Sequence, residues 1–488
     1  MVAPVLAALG SAPVESLIFV PDGPLAAIPF ELIPHDPLRP DVPLLERYRD
    51  ISGGKLQLEI LDPEPFSDGE DRAVAAGLRG LRLNAEGELG YFGMTAANAT
   101  DKRGSISFFS EQREDFLEYD LTKLIYSLSN PKRRVIGIMT GLPVDGGQAP
   151  MTNQPLPVWI IMDQVREFFD VEKIDMAVRK IPANIDVLIV AQPSKMEKGT
   201  AYAVDQYVMK GGKVLVMIDP MAEAAQLTMM ASGGEGTAEL GKMIRAWGVE
   251  YDAKKVAGDI KSARRISFGA KPGQQGMVTE FVTWLALDKK NMDENDPLSG
   301  GIDHINVASA GALTKADGAT INFQPIIQTS TESARLDATK TGMGADPISL
   351  FREYKAEGKR LTLAARATGD AKTAYPAGNP DFLEADGTPI PGDKDKPKKP
   401  DEDPLKDHVA SGKINVIVIA DTDLLANQHW VQERDVMGQK TQVPTADNAA
   451  FLLGTLENLS GSNELISLRG RGVKERPFTM VEEIRRGS

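Results

Sequence analysis

The chain has 488 residues, 42% of them hydrophobic and 25% charged, which is enough to build two or three packed domains. Its 55 basic and 69 acidic side chains leave a formal charge of −14, which argues against a general nucleic-acid surface and against electrostatic docking on anionic lipid. The absence of cysteine excludes disulfides, thiolate zinc sites and cysteine nucleophiles.

Residues 1–43 read as an atypical N-terminal segment. Within it SLIFVPDGPLAAIPFELI at 16–33 predicts a strand, a turn around Asp22, Gly23 and Pro24, and a short apolar element. The first basic residue is Arg39, so the start lacks the charged region of a signal peptide, and no run approaches the roughly 20 apolar residues that span a bilayer. The chain as given reads as soluble. A small α/β domain is expected over 44–130, with strands KLQLEIL at 55–61 and ELGYFGM at 88–94 and a helix, DGEDRAVAAGLRG at 68–80, between them. An amphipathic helix follows at 108–128. Phe109, Phe116, Leu117, Leu121, Leu124, Ile125 and Leu128 recur on one face, with Glu111, Arg113, Glu114, Asp115 and Lys123 on the other.

The boundary to the next domain is placed at 130–134, and residues 131–374 form the first part of that domain. VIGIMTG at 135–141, DVLIVAQP at 186–193 and KVLVMIDP at 213–220 are apolar strands without polar alternation, as expected where both faces are covered. Helices PVWIIMDQVREFF at 157–169, TAYAVDQYVMKG at 200–211 and ELGKMIRAWGVEYD at 239–252 alternate with them, which predicts βαβ units around a mostly parallel sheet. Strands are also expected around INVASAGAL at 305–313 and INFQPIIQT at 321–329. Residues 375–408 are rich in Pro, Asp and Lys and read as a disordered or polar inserted loop. The closing part, 409–466, holds strand KINVIVIAD and helix NAAFLLGTLENLSG, and 467–488 form a basic tail.

In an open parallel sheet the carboxyl ends of the strands line a ligand crevice. That rule selects Thr140, Gly141, Gln192, Asp219, Asp421 and Asp423 as binding candidates. The aspartates have a second reading, in which they cap helices or hold turns. Arg469, Arg471, Lys474 and Arg476 concentrate charge near the end of the chain and are candidates for docking a partner. The four histidines sit in no nucleophile setting and there is no Walker A loop, so no catalytic residue, metal cage or cofactor is expected.

YFGMTAANATD at 91–101, FLEYDLTKLIYSLSNPKR at 116–133 and IGIMTGLP at 136–143 together resemble the GldG family, the auxiliary component of the gliding-motility ABC-type transport system. The resemblance recurs in LEILDPEPFSDGEDRAVAAGL at 58–78, YAVDQYVMKGGKVLVMIDP at 202–220, VIVIADTDLL at 416–425 and LENLSGSNELISLRGRGVKERPF at 456–478. It implies a flavodoxin-like or class I glutamine amidotransferase-like fold that lacks the nucleophilic cysteine. It also implies a non-enzymatic, extracytoplasmic (periplasmic) auxiliary subunit, which works with separate permease and ATPase chains and binds a small solute, peptide or glycan. Family members are tethered to the inner membrane by hydrophobic helices, so this chain reads as their soluble portion. The alternatives are a carbohydrate- or peptide-processing enzyme using crevice carboxylates, and a purely structural scaffold. VPDGPLAAIPF at 20–30 separately resembles a signature of the caspase-like CHAT domains, whose Cys–His dyad this chain cannot form.

Overall fold

The computed structural model describes residues 14–21, 49, 55–60, 67–75, 77–78, 81–82, 89–99, 102–106, 121, 124–125, 128, 133–148, 153, 155–226, 235–268, 277–299, 302–342, 344–384, 388, 390, 403–436 and 439–461. Two compact units emerge, one of Met1–Arg133 with Ser462–Ser488 and the other of Arg134–Gly461.

The first unit contains a four-stranded sheet. β1 (Val14–Pro21) lies between β2 (Leu56–Ile60), to which it is parallel, and β3 (Phe92–Asn98), to which it is antiparallel. β4 (Arg103–Ile106) pairs with the outer side of β3, and the helix α1 (Asp68–Ala75) follows β2. The strand expected at the start of the chain therefore forms, in the interior of this sheet. The rest of the CHAT-like motif lies outside the described residues. Of the expected helix at 108–128 only Leu121, Leu124, Ile125 and Leu128 are described; all four are helical and buried, as their spacing requires.

The second unit is built on β5 (Val135–Thr140), β6 (Asp170–Lys173), β7 (Val187–Ala191), β8 (Lys213–Met217), β9 (Val249–Tyr251), β14 (Leu313–Lys315), β15 (Asn322–Gln328), β17 (Thr362–Lys372) and β18 (Ser411–Ile419). Their order is β6-β5-β7-β8-β18-β17-β14-β9, with β15 also pairing β17. The first five are mutually parallel. From β18 onward every pairing is antiparallel, so the sheet is mixed and the expectation of a mostly parallel sheet is corrected. The reason is local. The polar insertion joins β17 and β18 at neighbouring ends, and chain that returns beside itself must run antiparallel.

Strand residues alternate between two covered faces. Val214, Val216, Val416 and Val418 pack with α3 (Lys198–Met209) and α5 (Glu235–Ala246) through Val204, Val208, Leu240 and Met243. Leu215, Met217, Ile417 and Ile419 are equally buried on the opposite side, where α2 (Ile160–Phe168) and α8 (Asn448–Leu459) lie. Coverage on both faces explains why these strands carry no polar alternation. The expected helix at 239–252 ends at Ala246, because Gly248 turns into the left-handed region at φ 100 and the chain continues as β9.

Close packing of α3 on β18 depends on Gly412, where an added Cβ would overlap the carbonyl oxygen of Met209 at the end of the helix. Backbone cannot yield as a side chain would. Gly412→Ala is expected to lower stability by roughly 1–3 kcal/mol in urea unfolding; wild-type stability would mean that the helix can shift.

Around the sheet lie smaller elements: α4 (Glu223–Gln226), β10 (Lys255–Asp259) paired with β16 (Ser333–Asp337), and a three-stranded sheet of β11 (Ala263–Phe268), β12 (Met277–Asp288) and β13 (His304–Ala308). Helices α6 (Pro347–Glu353) and α7 (Asn427–Trp430) complete the unit, and α7 leads into the hairpin of β19 (Val431–Val436) and β20 (Gln439–Pro444). Much of the inserted loop, 385–387, 389 and 391–402, lies outside the described residues. Its near end is tied down: Asp381 pairs with Arg179 at 2.6 Å and the Tyr375 hydroxyl donates to Glu239 at 3.0 Å.

Candidate functional site

The row of loops at the carboxyl ends of β5, β7, β8 and β18 carries all six binding candidates. Thr140 closes β5, and its Oγ1 accepts the Leu142 N–H at 3.0 Å. Gly141 donates its N–H to the carbonyl of Gln192 at 3.2 Å. An added Cβ there would sit 2.7 Å from the Ser194 nitrogen, so the two strand ends approach too closely for a side chain. Gln192 has φ 41, unusual for a residue with a side chain. Its buried amide holds the conformation: Nε2 donates to the Asp219 carbonyl and Oε1 accepts the Asp219 N–H, each at 3.0 Å.

The aspartates come together in the interior. Asp219 Oδ1 accepts the Met221 N–H at 2.9 Å, and Oδ2 accepts the Thr422 N–H at 2.8 Å and the Thr422 hydroxyl at 3.1 Å. Asp421 accepts from Leu424 N–H at 2.6 Å and Ala308 N–H at 2.9 Å. Asp423 reaches across the sheet to the first turn of α4, taking Glu223 N–H at 2.8 Å and Ala224 N–H at 2.7 Å. These are caps and turn staples, and those from Asp423 to α4 and from Thr422 to Asp219 join segments some 200 residues apart.

A fourth buried carboxyl, Glu223, was not selected by sequence. Its Oε1 accepts the Trp284 indole N–H at 2.9 Å and the Ser309 hydroxyl at 2.6 Å, while Oε2 is buried without a partner. Ser309 is a second residue in the left-handed region, at φ 51. Glu223 lies only four positions beyond Asp219, a signal that could have drawn notice. Trp284 and Ser309 are 61 and 86 residues further on, and no local pattern links them to it.

Burial governs the electrostatics. It pushes the Asp219 carboxyl up to about 7, with the bonds from Thr422 and Met221 pulling the other way and the charge of Glu223 adding to the rise. Asp421 and Asp423 are driven well above the usual carboxylate range by burial first and by the charge of Asp219 second. Burial also raises Glu223. Burial thus disfavours the ionised form of all four carboxyls. Among the described residues no group of three acidic, histidine or cysteine side chains is placed to hold a metal ion. Arg469, Arg471, Lys474 and Arg476 lie outside the described residues.

Residues 133–455 match the family described as "ABC-type uncharacterized transport system". No curated protein matches the chain. Among solved structures, the mmIFT52 N-terminal domain is similar at 8% identity and a TM-score of 0.33, covering 67% of this chain and 97% of that one. A putative ThuA-like protein from Parabacteroides merdae is similar at 10% identity and a TM-score of 0.30, over 68% of this chain and 91% of its own. A cold-adapted β-galactosidase from Rahnella sp. R3 is similar at 8% and 0.26, over 70% and 33%. Likenesses this distant carry no argument. Among the described residues no helix is long and apolar enough to cross a membrane.

Proposed function

The chain belongs to the ABC-type uncharacterized transport system family, and from that membership we propose that it acts as a non-enzymatic, extracytoplasmic auxiliary subunit of such a system, of the gliding-motility type. The observation that carries the non-enzymatic part is the use made of the aspartate oxygens. A general acid or nucleophile needs an oxygen that can reach substrate. Here each of the six carboxylate oxygens of Asp219, Asp421 and Asp423 accepts a backbone N–H from the same unit. The remaining carboxyl, Glu223, is fully buried.

In chain order the parallel strands lie 2-1-3-4-5, the order of flavodoxin-like sheets, in which ligands bind where the order reverses, between the first and third strands. Those strands are β5 and β7, whose ends carry Thr140, Gly141 and Gln192. We place the binding of a small solute, peptide or glycan there, with Asp219, Asp421 and Asp423 holding the neighbouring loops in position. The cysteine nucleophile of class I glutamine amidotransferases has no counterpart, since the chain contains no cysteine.

Purification of the full chain from its native membrane is expected to recover a permease and an ATPase subunit, identified by mass spectrometry. Reversing charge with Arg469→Glu and Arg471→Glu is expected to reduce that recovery several-fold. Wild-type preparations without either subunit would overturn the transport reading, and undiminished recovery with the variant would remove the tail's docking role.

A further inference from the structure

The insertion between β17 and β18 is rooted on α3, where two consecutive buried side chains hold the chain at both of its ends. The Asp205 carboxylate accepts the Ala374 N–H at 3.0 Å and the Trp247 indole N–H at 2.9 Å, which fixes the outgoing leg. Gln206 fixes the returning leg: its Oε1 accepts the Val409 N–H at 2.7 Å and its Nε2 donates to the Val409 carbonyl at 3.1 Å. The two legs then meet. Gly378 turns at φ 97 with no room for a Cβ against the Pro404 carbonyl, and the Asn379 N–H donates to that same carbonyl at 2.8 Å.

Beyond this root the outgoing leg runs toward the amino end of α3. From Asp205 back to Gly199 is about 9 Å along a helix axis. Pro380–Phe382 form one turn of 3-10 helix, and the backbone bonds that follow stay inside the insertion: Phe382 N–H to Asn379, Leu383 N–H to Pro380, Glu384 N–H to Thr388 and Ile390 N–H to Phe382. The polar tie from this turn to the body runs through the exposed Asp381, whose carboxylate meets Arg179 Nε at 2.6 Å. Arg179 is held in place by α3 itself, with Nη2 on Glu197 Oε2 at 2.6 Å and Nη1 on the Thr200 hydroxyl at 3.3 Å. Gly199 makes the room, since a Cβ there would overlap both Asp381 oxygens and Arg179 Nε. Because α3 follows β7, its amino end stands at the carboxyl edge of the sheet, just after the Gln192 loop.

The two ends of the leg are held by unequal means. An exposed ion pair is weak, because water and salt screen it and both side chains lose freedom in making it, whereas the root relies on buried groups with full partners. A single 3-10 turn has no stability of its own once undocked. We propose that residues 380–384 form a strap over the amino end of α3, rooted at Asn379 and latched by Arg179 and Asp381, which opens while the root stays closed. The rim of the crevice then has two forms, one with the turn latched against α3 and one with it released. The bearing of the strap on ligand entry rests on the placement of a ligand at the ends of β5 and β7, but its opening does not: a strap that opens in a chain binding no solute keeps this inference and loses that reading.

The test is hydrogen–deuterium exchange of the full-length chain, read by mass spectrometry in peptides covering 380–384 and, for comparison, the root at 203–209, each relative to the unfolded-chain rate of its own sequence. Asp381→Asn is expected to speed exchange at 380–384 about two- to fivefold, the change to which an exposed ion pair corresponds, and to leave the root at the wild-type rate. Gly199→Ala should do the same, because its Cβ displaces the latch while alanine favours the helix. Raising sodium chloride from about 0.05 to 0.5 M should speed the same amides in the wild-type chain and leave Asp381→Asn unchanged. Wild-type exchange at 380–384 in both variants would overturn the proposal, since packing alone would then hold the turn. Acceleration that spreads equally to 203–209 would overturn it too, because root and strap would then open as one.

Discussion

Asp423→Ala is expected to destabilise the Arg134–Gly461 unit by roughly 3–5 kcal/mol, the largest effect of any single substitution considered for this chain. The carboxylate is fully buried and takes the Glu223 and Ala224 N–H groups at 2.8 and 2.7 Å, so truncation leaves two interior donors with no acceptor. Each such orphan costs about 1–3 kcal/mol. An opposing effect has to be weighed, because removing a charge from a crowded group of carboxyls relieves repulsion. That relief is limited, since burial already favours the protonated forms of Asp219 and Asp421 and so reduces the charge that Asp423 meets. Loss of the donors' partner therefore wins. Asp423→Asn separates the two contributions: it removes the charge and keeps one acceptor but leaves the other amide without one, so its cost should be about half that of alanine. Urea unfolding of both variants is the measurement. An alanine variant as stable as wild type would mean that water reaches the two amides and that Asp423 is not holding α4.

How much of this was legible in the sequence depends on the distance over which each feature is encoded. VIGIM, DVLIVA and KVLVM announced themselves because strands covered on both faces need unbroken apolar runs, and Gly211, at φ 91, stops α3 within two residues of the end expected at 211. The antiparallel half was harder to read. β17 is TLAARATGDAK, whose alanines favour helix in isolation; they form a strand because both of its edges are paired, one with β18 and the other with β15, a tertiary context that overrides propensity. β12 was likewise not foreseen, although MVTEFVTWLALD has the β-branched and aromatic content of a strand. In the candidate site the same division holds. Thr140, Gly141, Gln192, Asp219, Asp421 and Asp423 could be chosen because each follows a recognisable strand. What they bond to could not, since Thr422, Ala308 and Glu223 reach them only through tertiary folding. Arg179 and Asp381 were invisible for that reason: they lie in separate connections, and no local pattern links one to the other.

The buried carboxyls should also invert the usual acid response of the second unit. A carboxyl whose folded-state pKa is raised keeps its proton in the folded state at pH values where the unfolded chain has released it. Its contribution to stability is complete below the unfolded value near 4 and is lost as pH rises through the folded value. For Asp219 that folded value is about 7, and Asp421, Asp423 and Glu223 are raised as well. His429 works the other way. Held down at about 3 against an ordinary 6.5, it costs stability as pH falls below that ordinary value, because the unfolded chain gains a proton that the buried ring refuses. Between about pH 8.5 and 6.5 His429 is neutral in the folded state and at most half protonated in the unfolded chain, a cost of only about 0.4 kcal/mol at the lower end, so the carboxyls decide the sign in that window. The other charged groups facing the cluster do not titrate there: Arg264 stays protonated despite a pKa lowered by burial, and Tyr251 stays neutral because burial and the charge of Asp219 drive its hydroxyl far upward. The melting temperature of the second unit should therefore rise as the buffer is taken from pH 8.5 to 6.5. Asp219 alone supplies on the order of 1 kcal/mol, a shift of roughly 1–2 °C, and the other carboxyls add to it. Asp219→Asn should flatten the slope in this window, and His429→Gln should extend the rise below pH 6.5. A melting temperature that climbs with pH across the window would show that the cluster is ionised in the folded state, with its backbone N–H donors outweighing the cost of burial.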